Sequence, residues 1–118
     1  MKESLLLLGE GHCFRDQVLE ICHRPRQHSP ISRTMEGGSL ETIRQMVASG
    51  VGVTVLPATS VGAGGTGDLI RILPFARPAP TRRVGLAWRR SFPRPEAIEA
   101  LRKGILACNL PNVTKLDA

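Results

Sequence analysis

Four consecutive leucines, Leu5 to Leu8, form the densest apolar block of the chain. A run that does not alternate reads as a strand buried on both faces. Gly9 and Gly11 break it. From Asp16 onward, Val18, Leu19, Ile21 and Cys22 fall at roughly helical spacing, which predicts a helix from Cys13 to about Cys22. Residues 23–30 hold two prolines, four potential cations and no periodicity, and read as a loop. Ile31 to Met35 is a short strand candidate, broken by Gly37-Gly38. Leu40, Ile43, Met46 and Val47 share one helical face. Ser39 precedes them as an N-cap, with Thr42 at the capping-box position and Glu41 suited to the positive helix end. Gly50 stops that helix. Val51 to Leu56 is rich in β-branched residues and ends at Pro57, the pattern of a strand. Strand, helix and strand in close succession form the βαβ grammar of a mostly parallel α/β sheet.

The second half is less regular. Gly62 to Gly67 has two short GxG spacings, but no Lys-Ser/Thr follows and no helix opens after it, so it reads as a linker and not as a phosphate loop. Leu69 to Leu73 is a strand candidate. Arg77 to Pro80 is an extended, proline-rich connection. Arg83 to Arg89 is a further strand candidate, with the small Gly85 inside it. Pro93 and Pro95 precede a predicted helix from about Glu96 to Asn109, whose apolar face is Ile98, Leu101, Ile105 and Leu106. Cys108, near its end, reads as a packing residue, and Pro111 marks the stop.

With 118 residues the chain is one domain at most. Its formal charge of +6 raises a nucleic-acid reading. The densest basic patch is Arg77, Arg82, Arg83, Arg89, Arg90 and Arg94. No helix-turn-helix, zinc-finger spacing or aromatic RNA-binding signature accompanies it, so most of this charge reads as solvated surface. Met1 to Leu8 is too short for a secretory signal and lacks a cleavage site. No apolar run approaches a membrane span. Three cysteines are an odd count, unlike a secreted disulfide scaffold, and the cytoplasm is the expected compartment.

Chemistry concentrates in Gly11-His12-Cys13-Phe14-Arg15-Asp16-Gln17, with Cys22 nine residues beyond Cys13. His12 and Arg15 are cationic neighbours that favour thiolate over thiol at Cys13. A position at a strand-to-helix turn adds free N–H groups and positive dipole character. Two readings stand for each cysteine: a reactive thiol, or a small core hydrophobe. The second weighs more for Cys22, which lies on the apolar stripe. If 14–22 is one helix, the two cysteines are separated by about 13 Å along its axis. A disulfide needs Cα atoms within about 7 Å, so bridging them requires this segment to melt or bend. The spacing matches neither a CxxC redox motif nor a zinc knuckle.

This motif, with Cys22, resembles the peroxide-sensing segment of the OxyR-like hydrogen peroxide sensors, a branch of the LysR-type transcription regulators. The stretch from Ser39 to Ala58 (SLETIRQMVASGVGVTVLPA) is similar to LysR-type effector domains in general. Leu73-Pro74-Phe75, continuing through Pro80-Thr81-Arg82-Arg83-Val84-Gly85-Leu86-Ala87-Trp88-Arg89, fits the end of the same domain. The match runs in register over nearly all of the chain.

The resemblance implies an α/β fold: a partial periplasmic-binding-protein-like effector domain. Residues 1–82 would be its second lobe, incomplete at the N-terminus. Residues 83–118 would be the C-terminal strand and helix that return to the first lobe. The family's DNA-binding domain, linker helix and most of the first lobe have no counterpart in this sequence, nor have the hydroxyl groups that lobe brings to the peroxide pocket. By the same resemblance, Cys13 is the peroxide-reacting cysteine and Cys22 the one that resolves it to a disulfide. His12, Arg15, Asp16 and Arg82 support the peroxide site. Implied partners are hydrogen peroxide, a glutaredoxin- or thioredoxin-type reductant, and a second copy through the Ser39–Gly50 helix. DNA and RNA polymerase would be partners only of a full-length form. No cofactor, metal or membrane is implied. Two other readings remain at this stage. One is a thiol peroxidase or oxidoreductase built on Cys13 and Cys22. The other is a LysR-type lobe for a small organic effector, which would have no need of the His12-to-Asp16 cluster.

Overall fold

The leucine run forms the central strand of the fold. The computed structural model describes residues 3–22, 31–61 and 67–116. Strand β1 (Glu3–Leu8) pairs in parallel with β2 (Ile31–Gly37), Leu6 opposite Met35 and Leu8 opposite Gly37. Helix α1 (Cys13–Cys22) is the crossover between them. Helix α2 (Leu40–Ala48) follows β2.

Successive side chains of a strand point to opposite faces. Leu5 and Leu7 accordingly pack with Val18, Leu19, Phe14 and Cys22 of α1. Leu6 and Leu8 pack with Ile43, Leu40, Met46 and Val47 of α2. Each face of β1 is thus covered by a helix, which is why the run does not alternate. Burying one such leucine is worth roughly 1.5–3 kcal/mol.

Ser39 caps α2 as predicted. Its Oγ accepts from the Thr42 N–H at 3.1 Å. Gly50, with φ +78°, takes the left-handed turn that ends the helix. A Cβ on Gly37 would collide with Ile43, so the glycine lets α2 seat closely on the sheet. Arg44 is buried on α2 and donates to the Ser60 carbonyl at 3.0 Å. It thereby ties down the short helix α3 (Ala58–Val61).

The predicted strand Val51–Leu56 is reduced to a single parallel bridge, Val53 to Leu5. Leu6 N–H donates to the Val53 carbonyl at 2.8 Å and Val53 N–H to the Ser4 carbonyl at 2.9 Å. The backbone there lies so close that a Cβ on Gly52 would overlap the Ser4 carbonyl. Contact at one point does not propagate into a ladder. The predicted loop at 23–30 and most of the 62–67 linker lie outside the described residues.

Beyond a 3-10 turn at Gly67–Leu69 the sequence reading needs larger correction. Neither Leu69–Leu73 nor Arg83–Arg89 forms a strand. An isolated strand leaves its backbone groups unpaired, and among the described residues no sheet edge accepts either segment. Their apolar side chains face solvent, Val84 at 82% and Trp88 at 56% exposure. Helix α4 (Pro95–Ala107) does form, with Pro95 in its first turn. Its stripe is uncovered at Leu101 and Ile105 and half-covered at Ile98 and Leu106. Cys108 is an exposed C-cap and not a packing residue. The radius of gyration is 17.3 Å, against about 13.5 Å for a compact chain of this length. No helix of the described residues is long and apolar enough to cross a membrane.

Candidate functional site

The α1 crossover sets out the predicted site. Gly11, with φ +90°, turns the chain away from the end of β1. The His12 carbonyl then accepts the Arg15 N–H at 2.9 Å and starts the helix. Cys13 is the first helical residue and is exposed, as are His12 and Asp16. Asp16, in the first turn, complements the positive helix end. Phe14 points inward and touches both core clusters.

Arg15 is tethered. One guanidinium nitrogen donates to the Leu8 carbonyl at 2.8 Å and also pairs with the Glu36 carboxylate on β2. Arg82 comes from the irregular segment that follows residue 69. Its guanidinium lies over the Phe14 ring, beside Cys13 in sequence. Of the predicted set, Arg15 and Arg82 are thus both held at the first turn of α1.

Cys22 occupies the last position of α1 and is half-buried against the Leu5, Leu7 and Val18 cluster. Burial pushes its thiol above the ordinary cysteine pKa, because the charged form would lose hydration. The helix keeps the sulfurs apart. Nine helical steps amount to about 13 Å, and all three cysteines are free. The arrangement presents one solvent-facing thiol and one sheltered thiol, with an intact helix between. Among the described residues no cluster of His, Cys, Asp or Glu could hold a metal ion.

Two participants escaped the sequence reading. Phe14 stood in the motif without a role, although an aromatic residue between a cysteine and an arginine is a signal. Glu36 gave no local signal. Only the parallel register brings it beneath the start of α1.

The profile of the family described as LysR substrate binding domain matches residues 1–107. A probable hydrogen peroxide-inducible genes activator of Mycobacterium avium is 39% identical over 97 residues, covering 82% of this chain and 31% of that protein. Its namesake in Streptomyces viridosporus is 45% identical over 100 residues, 83% of this chain and 31% of the relative. The DNA-binding transcriptional dual regulator OxyR of Escherichia coli K12 is 38% identical over 105 residues, 89% of this chain and 34% of its own length. The chain spans about a third of the length of these relatives. Among solved structures, a cysteine-to-aspartate variant of full-length OxyR from Pseudomonas aeruginosa superposes with a TM-score of 0.74 at 54% identity, covering 86% of this chain and 35% of that one. The corresponding variant of the isolated regulatory domain gives 0.64 at 45% identity, over 89% of this chain and 47% of that one.

Proposed function

The chain belongs to the LysR substrate-binding domain family, and from that premise we propose that it is the peroxide-sensing regulatory part of an OxyR-like transcription regulator. The observation that carries this reading is α1 itself: exposed Cys13 at its first residue and sheltered Cys22 at its last, not bonded to one another. Relatives named as probable hydrogen peroxide-inducible genes activators support it.

The chemistry takes two steps. The Cys13 thiolate attacks one peroxide oxygen, the O–O bond breaks, and hydroxide leaves, taking a proton to become water. Cys13 is then a sulfenic acid. Cys22 attacks that sulfur, the S–O bond breaks, a second water leaves, and a disulfide remains. Two electrons pass from the two thiols to the peroxide. His12, Arg15, Asp16 and Arg82 stabilise the developing charge or supply the proton. A glutaredoxin- or thioredoxin-type dithiol reverses the bond by exchange. Because the second step needs α1 to unwind, the chain acts stoichiometrically as a switch and not as a fast catalyst.

The same reading assigns residues 1–82 to the second lobe of the regulatory domain and 83–118, an extended segment followed by α4, to the part that returns to the first. It places the chain in the cytoplasm and pairs two copies through the Ser39–Gly50 helix. The test is peptide mapping after one equivalent of peroxide, beside a steady-state assay with excess dithiol. A Cys13–Cys22 bond with few turnovers supports the switch. Many turnovers per chain would instead make it a peroxidase.

A further inference from the structure

We propose that Glu36 is a positioning residue that keeps the thiol helix wound, by pinning Arg15 across the ends of both strands. The inference deepens the thiol-switch reading and rests on it. Arg15 lies in the first turn of α1, two residues after Cys13. It donates to the carbonyl of Leu8, the last residue of β1. The same nitrogen pairs with Glu36, one residue before β2 ends at Gly37. One side chain therefore stitches the start of α1 to both strands of the sheet.

The remainder of that first turn is lightly fastened. His12, Cys13 and Asp16 are exposed, and Phe14 alone reaches the core. Closing a Cys13–Cys22 bond requires α1 to unwind, since its helical form holds the cysteines about 13 Å apart. Unwinding around Arg15 breaks the Leu8 and Glu36 contacts together. The Arg15 side chain is 17% exposed and that of Glu36 is 52%. An ion pair so open to solvent shifts an equilibrium by a few-fold, not by orders of magnitude. It biases the helix toward the wound form without locking it. Glu36 touches neither sulfur and acts only through Arg15.

The test follows disulfide closure in the full chain after rapid mixing with diamide. Two thiols give two electrons and two protons to the diazene, which becomes a hydrazine. Glu36→Gln is expected to close roughly two- to fivefold faster than the unmodified chain, the range of a half-exposed pair. Glu36→Asp, which keeps the charge, should return the rate toward the original. Arg15→Gln also removes a cation beside Cys13 and so serves only as the background: adding Glu36→Gln to it should give no further gain. Equal or slower closure in Glu36→Gln, failure of Glu36→Asp to restore the rate, or additive gains in the double variant would overturn the proposal. Peroxide inertness of every variant, with this diamide pattern intact, would sink the peroxide reading and leave the Glu36 assignment standing.

Discussion

The guanidinium of Arg82 stands over the ring of Phe14, 5.2 Å from its centroid. This contact joins the irregular segment after residue 69 to the residue next to Cys13. Its partners are 68 positions apart in sequence, so it closes a long loop. A cation over an aromatic face is worth roughly 0.5–1 kcal/mol at an exposed site.

Arg82→Ala is therefore expected to lower the unfolding free energy by about that amount, with Arg82→Lys in between. Urea titration followed by the fluorescence of Trp88, the sole tryptophan, measures it. An unchanged midpoint in Arg82→Ala would mean that the contact contributes nothing to holding the segment.

One equivalent of peroxide is expected to join Cys13 to Cys22 and leave Cys108 reduced. Cys22→Ser should still react and trap sulfenic acid at Cys13. Far-UV circular dichroism should lose helix on oxidation of the unmodified chain and keep it in Cys22→Ser. Recovery of a Cys108 bridge by peptide mapping would count against this assignment.

Beside the proposed pairing through the Ser39–Gly50 helix, further self-association is expected through α4, where Leu101 is 51% and Ile105 48% exposed. Apolar surface of this kind drives self-association. Leu101→Glu or Ile105→Glu should raise the monomer fraction in sedimentation. Ile43 behaves differently: it is buried against Leu6 and Leu8. Ile43→Glu would bury an unpaired charge and should unfold the chain, not dissociate it. A folded, monomeric Ile43→Glu variant would refute the assignment of α2's buried face.

Burial raises the pKa of the Cys22 thiol above its ordinary value. The folded state then holds this proton to higher pH than the unfolded state does. The resulting stability is complete below the unfolded thiol's pKa, about 8.5, and is lost as pH rises through the higher folded value. With reductant present, the original chain should lose stability over that alkaline range more steeply than Cys22→Ala. Parallel urea midpoints for the two proteins across the range would contradict this.

Local physics explains what the sequence made legible. Leu5–Leu8, the Cys13–Cys22 helix and the Ser39 cap each depend on neighbours a few residues away, and each appears as read. The α/β class followed from their order. The failures are the features that need a distant partner. Val51–Leu56 has the composition of a strand, but only Val53 meets β1. Arg83–Arg89 has it too and meets no edge among the described residues. At the candidate site, Cys13, Arg15 and Cys22 could be picked out by residue type and spacing. Glu36 could not, because its place depends on a register that the local pattern does not encode.

Under the proposed disulfide switch, helix α1 would also make the approach of its two sulfurs depend on temperature. Its ends approach only when backbone hydrogen bonds are lost, and warming breaks those bonds with no oxidant present. A given dose of peroxide would then close more disulfide at a higher temperature than at a lower one, although the thiols are unchanged. Trifluoroethanol, which favours helix, would blunt the response as cooling does. Under the proposed switch, heat and oxidant would thus act on one short stretch of backbone.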